Sequence, residues 1–255
     1  MSMALLTAEA LAEALNVTVD TIFHYTRHKR IPFIDLGDQQ YRYDLEQVLQ
    51  ALNAHEVREQ KTSNRPEPGK SYTYQDYLLL PEEPGFRFEV LEGELIKEPS
   101  PSIIHQLISG RLFSMLDTYF LAHDPQGLLL FAPMDTTFGE KTVVQPDLLY
   151  VSSAKTALVR KQRIDGPPDL VVEILSPGNK RKDRLRKLNI YLRAGVSHFW
   201  LVDPEEKTME CFTLRDGNYV LITSGLESDL VMPPDFPDLA INLSLLWEGI
   251  DTIPD

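Results

Sequence analysis

Residues 145–191 read QPDLLYVSSAKTALVRKQRIDGPPDLVVEILSPGNKRKDRLRKLNIY. Within them Leu170, Val172 and Ile174 alternate with Asp169, Val171, Glu173 and Leu175. Both faces of this segment are mostly apolar and β-branched, the pattern of a central strand covered on both sides. Glu173 then falls inside a sheet, where carboxylates are almost never buried unless they are paired or bind a cation. A second strand, expected over Val143–Val151, holds the same anomaly: Asp147 follows Pro146 and precedes Leu148-Leu149-Tyr150-Val151. Two acids on two core strands point to a divalent metal, because hard cations such as Mg²⁺ prefer carboxylate oxygens.

Downstream, Ser176-Pro177-Gly178 ends the strand, and a helix is expected from about Asn179 to Ala194 with Gly195 as its stop. Asp183, Lys187 and Tyr191 recur every fourth residue on one line of it. Leu185, Leu188 and Leu192 form its expected apolar stripe. Lys187 stands at the stripe's edge, where it buries its stem and aims its amine at the strand ends.

The flanking segments supply further elements. Ser71–Leu80 reads as a short helix with Tyr74, Tyr77 and Leu78 inward. Phe86–Glu98 reads as a hairpin turning near Glu92-Gly93. Glu89, on its first arm, is either the polar side of an exposed strand or a third acid at the site, while Glu92 and Glu94 read as solvated turn residues. Ile103–His123 is an amphipathic helix that buries Ile104, Leu107, Ile108, Leu112, Met115, Leu116 and Phe120. His105 lies at its start, where a lone histidine is more often a packing or capping residue than a ligand. Gly127–Pro133 is a strand, continued as a hairpin through Asp135–Phe138. Phe199–Val202 is a buried strand, and Met209–Leu214 with Tyr219–Thr223 form a hairpin across Asp216-Gly217. The short apolar stretch Leu243–Trp247 is expected to dock on the core.

This order of residues resembles the PD-(D/E)xK nuclease superfamily, and within it the Uma family of restriction-endonuclease-like proteins. The resemblance covers roughly Tyr72 to Trp247. It rests on RFEVLEGEL, the Ser-Pro stretch leading to His105, QPDLLYV, PDLVVEILSP, the Asp183-Lys187-Tyr191 line and AGVSHFWLVDP. It implies an α+β fold, a central mixed sheet flanked by helices. It also implies a metal-dependent endonuclease that uses Mg²⁺ or Mn²⁺. Asp147, Glu173 and Glu89 would be the metal ligands, with Asp147, Glu173 and Lys187 catalytic. His105, Tyr191 and Asp183 would line the site. One departure stands out: the superfamily's Glu-x-Lys here reads Glu173-Ile174-Leu175, and in the Uma pattern Lys187 from the following helix supplies the missing charge.

The chain has 255 residues, 43% hydrophobic, with 25 Lys plus Arg against 38 Asp plus Glu. A formal charge of −13 runs against nucleic-acid binding, which rests on basic charge. The charge is uneven, however. Residues 155–193 hold eleven Lys or Arg against four acids, whereas residues 224–255 hold seven acids and no Lys or Arg. Arg160, Lys161, Arg163, Lys180, Arg181, Lys182 and Arg184 are therefore candidates for a DNA path, their bland rival being a solvated helix and loop face. The one cysteine, Cys211, excludes an internal disulfide framework. No apolar run spans a membrane and no signal peptide is visible, so a soluble cytoplasmic protein is expected.

Residues 1–56 read as a separate domain. Thr7 caps a helix with Ala10, Leu11, Ala14 and Leu15 on one side. Leu15-Asn16-Val17 makes a turn, and Thr18 caps a second helix that ends in Arg27-His28-Lys29-Arg30. Ile31–Ile34 and Tyr41–Tyr43 flank Gly37-Asp38 as a wing, and Asp44 with Gln47 opens a third helix. The series resembles the excisionase and MerR-type winged helix-turn-helix. That resemblance implies Thr18, Thr21, His24 and Tyr25 in the major groove, with Arg27, Lys29, Arg30 and Arg42 on phosphates. The rival is a protein-interaction module of the same helices. Residues 57–70 are a polar linker with two prolines and a glycine, and 71–255 form the nuclease-like domain.

The leading expectation is a DNA endonuclease on double-stranded DNA, a homodimer by analogy, targeted by its helix-turn-helix. The alternative is a DNA-binding regulator whose nuclease-like domain is inactive and serves dimerisation or ligand sensing. A third is a nuclease for RNA or branched DNA. Each acid has a structural rival as well: Asp147 as a turn cap after Pro146, and Glu173 in a buried salt bridge to Lys187 without metal.

Overall fold

A computed structural model describes residues 5–15, 17–27, 31–35, 37, 41–49, 51, 69–176 and 181–253. The chain divides into two compact units, Met1–Arg65 and Pro66–Asp255. Lys29, Arg30 and Lys180, and most of the expected linker, lie outside the described residues, as do the side chains of His24, Arg181, Lys182, Asp183 and Arg184. Among the described residues no helix is long and apolar enough to cross a membrane.

In the first unit, α1 (Ala8–Leu15) and α2 (Val19–Arg27) start where hydroxyls can cap them. Thr7 Oγ1 accepts from Ala10 N at 3.2 Å and Thr18 Oγ1 from Thr21 N at 3.2 Å. A short antiparallel ladder joins β1 (Ile34–Asp35) to β2 (Tyr41–Arg42). Asp44 Oδ1 accepts from Gln47 N and opens α3, over residues 45–49. Leu11, Ile22, Tyr43 and Val48 are fully buried and form the core of this unit. The hydroxyl of Tyr43 is satisfied there by Thr26 at 2.8 Å.

In the second unit, α4 (Tyr74–Leu78) carries a capping box between Thr73 and Asp76. β3 (Phe86–Leu91) and β4 (Glu94–Pro99) pair antiparallel across Glu92 and Gly93, both at positive φ as a tight two-residue hairpin requires. Then follow α5 (Ile103–His123), β5 (Leu128–Phe131), β6 (Thr136–Thr137), β7 (Val143–Val144) and β8 (Leu148–Val151). β9 (Ile164–Asp165), β10 (Leu170–Ile174), α6 (Arg181–Ala194) and β11 (His198–Asp203) come next. β12 (Thr208–Arg215), β13 (Asn218–Leu226), β14 (Leu230–Val231), β15 (Ile241–Asn242) and α7 (Leu243–Trp247) complete the unit.

The strands form a six-stranded sheet in the order β13-β12-β11-β10-β8-β5 and a five-stranded sheet in the order β4-β3-β7-β6-β9. β10 is parallel to β11, with α6 as the crossover between them, and antiparallel to β8. Its alternation decides what each face sees. Leu170, Val172 and Ile174 pack with Ile108, Leu112 and Leu116 of α5 and with the carboxy-terminal Leu246 and Trp247. Val171 packs on the opposite face with Ile190 and Tyr191 of α6, and Glu173 points to that same side. Gly195, at φ +83°, terminates α6, its N–H and that of Val196 returning to the Tyr191 carbonyl.

Four expectations are corrected. Val143–Val151 is not one strand: β7 pairs with β3 and β6 in one sheet, and β8 pairs with β10 and β5 in the other. Pro146 lies at the changeover, and with no N–H to give it cannot continue a ladder. Likewise β5 and β6 are not a hairpin, because β5 pairs with β8, whereas β6 pairs with β7 and β9. Leu185 of α6 is 49% exposed, and the buried face is instead carried by Lys187, Ile190 and Tyr191. Leu78 and Leu107 are also largely exposed. Leu78 ends a helix of little more than one turn, and α5 has apolar residues all round, so periodicity does not single out its inner face.

Candidate functional site

β3, β8, β10, α5 and α6 bring one cluster of ionisable side chains together. On β3, Phe88 and Val90 turn into an apolar cluster with Tyr72 and Val143. Alternation therefore sends Arg87 and Glu89 to the other side. The β8–β10 register pairs Leu148 with Val172, and one further step sets Asp147 opposite Glu173. On α6, Lys187 and Tyr191 are one turn apart on the buried ridge.

The contacts close into a network. Lys187 Nζ lies 3.0 and 2.9 Å from the two Glu89 carboxylate oxygens and 3.4 Å from Glu173 Oε2. The Tyr191 hydroxyl donates to Glu173 Oε1. Glu89 Oε1 also accepts the backbone N–H of Gln145 at 2.7 Å. Asp147 Oδ2 accepts the N–H of Ile174 at 2.7 Å, with His105 Nε2 3.0 Å away. Asp147 Oδ1 faces Arg87 Nη1 at 3.4 Å, and Arg87 Nη2 binds Glu98 at 3.1 Å. Glu89 is 0% exposed, Asp147 1% and Glu173 7%. The reading of Glu89 as a solvated strand residue is therefore wrong. Glu92 and Glu94 stay at the surface, where they pair with Arg193 and Arg186.

Burial and crowding of like charge set the electrostatics. Burial pushes Glu173 up to about 7; Lys187 opposes this, and Asp147 and Glu89 add to it. Burial likewise raises Glu89 against the pull of Lys187. Burial is the largest influence on Asp147 too, but His105, Arg87 and the Ile174 N–H together outweigh it and lower its pKa. Burial alone would depress Lys187, yet Glu173 and Glu89 hold it above the ordinary lysine value. The two carboxylates thus favour the charged form of Lys187.

The predicted residues Asp147, Glu173, Glu89, Lys187, His105 and Tyr191 meet in this one cluster. Arg163 does not join it, but binds Asp165 at 3.4 Å and stacks on the Tyr74 ring. In the first unit Thr18 is exposed, its hydroxyl bonded to that of Thr21 at 2.8 Å. Arg27 is exposed with Nε directed to the Phe23 carbonyl, Arg42 is half-buried, and Tyr25 is partly buried against the core.

Sequence reasoning passed over Arg87 and Gln145. A signal existed for Arg87, two residues before Glu89 on one strand and so on the same face. Gln145 lies between strands and reaches Glu89 through its backbone N–H, which side-chain pattern does not reveal. The donor type suits a hard divalent cation, since carboxylates of Asp147, Glu173 and Glu89 are buried in one network with Lys187, Arg87 and His105 between them. The chain's own cations hold these oxygens, and among the described residues no three His, Cys, Asp or Glu side chains converge as a ready-made metal cage.

The family model Uma2, described as "Putative restriction endonuclease", matches residues 74–244. The chain is also similar to a crystal structure described as a putative nuclease belonging to DUF820, from Anabaena variabilis ATCC 29413. The TM-score is 0.56 at 23% identity, covering 69% of this chain and 97% of that one. No curated protein matches the chain. At that identity the likeness is one of fold, and the second unit has the mixed α+β, restriction-endonuclease-like architecture.

Proposed function

Because the chain belongs to the Uma2 family of restriction-endonuclease-like proteins, we propose that it is a metal-dependent endonuclease that hydrolyses phosphodiester bonds in DNA. The observation that carries this reading is the buried meeting of Asp147, Glu173 and Glu89 with Lys187, since buried ionisable groups crowded in this way gather at functional sites. Asp147, Glu173 and Glu89 would hold Mg²⁺ or Mn²⁺. When bound, the cation supplies polarisation of the scissile phosphate and a water of lowered pKa.

The remaining roles belong to the chain. Tyr191 fixes one oxygen of Glu173, and the Ile174 N–H and Arg87 fix Asp147. Lys187, whose charged form Glu89 and Glu173 favour, would stabilise charge developing on the phosphate. The first unit acts as the helix-turn-helix reader, with Arg27 and Arg42 on phosphates. A homodimer would supply one site per strand, and sedimentation of the full chain tests that.

The test of function is conversion of supercoiled plasmid to nicked or linear forms in Mg²⁺ or Mn²⁺. Cleavage that EDTA and Glu173→Ala both abolish supports the enzyme; duplex binding without cleavage under either metal overturns it. One observation favours a second reading, an inactive nuclease-like domain serving a DNA-binding regulator: Lys187, Arg87 and His105 already neutralise the acids within the chain.

A further inference from the structure

A cleft of about 630 Å³ lies beside the acid cluster. Tyr77, Phe86, Phe88 and Pro133 line its wall, as do the acids Glu82 and Glu83. Arg87 and Gln145 also line it. Its size is that of a small-molecule pocket. The cleft and the cluster share these last two residues: Arg87 Nη1 reaches Asp147 at 3.4 Å, and the Gln145 backbone N–H binds Glu89 at 2.7 Å.

Two polar atoms of the shared residues are buried with no hydrogen-bond partner among the described residues, Gln145 Oε1 and Arg87 Nε. Gln145 is only 8% exposed, and its amide orientation is fixed by chemistry. Nε2 lies 2.9 Å from Asp135 Oδ1, an atom that only accepts when ionised, and 3.0 Å from the Tyr77 hydroxyl, which donates to the same carboxylate. The carbonyl oxygen is therefore the end left over. A buried donor and a buried acceptor without partners within the described chain are costly, and are satisfied by water or by a ligand that displaces it.

We propose that this cleft takes one unpaired nucleobase of the nucleic acid cut at the acid cluster. The half-exposed Phe86 ring, with Lys97 over one side, and Pro133 offer apolar surface to a base. A base edge carries both a donor and an acceptor to match Gln145 and Arg87 once these side chains turn toward the cleft. A phosphate is the poorer occupant. Among the described residues Arg87 is the one basic side chain in the wall, and its guanidinium is already shared between Asp147 and Glu98. The substrate accordingly presents an unstacked nucleotide at the cut, in a single strand, bulge or flap or extruded from duplex. The proposal rests on the nuclease reading for its position, but its test reads binding.

The test uses the full chain in EDTA and fluorescence anisotropy with three labelled duplexes: one with a single bulged nucleotide, one with the same bulge abasic, and one fully paired. The base-bearing bulge is expected to bind about tenfold more tightly than the abasic one, the scale of one stacked base. Phe86→Ala and Gln145→Leu should each bring that ratio close to one. Phe86 is 44% exposed, so its truncation leaves the core intact. Equal binding of the two bulges, or a ratio that survives both substitutions, overturns the proposal. A ribonucleotide bulge in place of the deoxynucleotide tells RNA from DNA as the source of the base. If the ratio holds but no duplex is cleaved in Mg²⁺ or Mn²⁺, the pocket stands and the nuclease reading falls. If cleavage occurs with a ratio of one, the pocket falls alone.

Discussion

Glu173→Gln removes one buried charge with almost no change of volume, and its effect on stability depends on pH. Burial moves Glu173 from an ordinary 4.5 to about 7. In the window between those values the folded chain holds a proton that the unfolded chain has released. Stability is therefore greatest below the window and falls as pH rises through it. At about 1.4 kcal/mol per pH unit the loss is roughly 3 kcal/mol, complete above pH 7. The amide of the variant stays neutral and escapes this loss. Glu89, raised in the same direction and sharing Lys187 with Glu173, titrates together with it, so the difference between the two proteins reports the loss of one acid from a coupled pair. The chain has two tryptophans, Trp200 and Trp247, both buried in the second unit. Urea unfolding followed by their fluorescence, without metal, thus reports on the unit that holds the site. The variant should gain on the parent as pH goes from 5 to 8, by roughly 3 kcal/mol at the upper end. Parallel curves across that range would refute the account of the buried acids.

Other substitutions separate the remaining contacts. Lys187→Met leaves Glu89 and Glu173 buried without their cation, and should destabilise the second unit by about 3–5 kcal/mol in the same urea assay at pH 8. Tyr191→Phe removes one hydrogen bond to Glu173, costs about 1–2 kcal/mol, and should move the midpoint of the pH–stability curve upward, since that bond lowers the Glu173 pKa. Trp247→Ala undocks α7 from the core against α5 and should cost about 3–5 kcal/mol by thermal or urea unfolding. Arg42→Ala in the first unit should weaken duplex binding uniformly across sequences and reduce the salt slope of log K by about one, measured by anisotropy at several salt concentrations.

The sequence made the central strand legible because β10 is covered on both faces, so every position but Glu173 had to be apolar. The ends of α5 were legible too, with Ser102 capping the start. The inner face of α6 was not. A periodicity argument follows leucines, whereas here Lys187 and Tyr191 are drawn inward by Glu89 and Glu173, which stand on other strands far away in the chain. The change of sheet between Val144 and Leu148 was hidden for a related reason, since an unbroken apolar run does not reveal which neighbours each half will pair with. Glu89 left two readings open because one strand's alternation shows a face, not what covers it. Arg87 and Gln145 went unread because their importance depends on β3 coming against the segment between β7 and β8, a long-range meeting that no local pattern carries.

Calorimetric titration of Mn²⁺ into the full chain and into Glu173→Gln tests the centre of the account most directly. The parent should bind the ion at the acid cluster, with affinity rising between pH 6 and 8 as Glu173 loses its proton, and the variant should lose at least about tenfold, the scale on which site residues set metal affinity. Equal Mn²⁺ binding by parent and variant would contradict it, because Glu173 would then be held in the core by Lys187 and Tyr191 for packing alone.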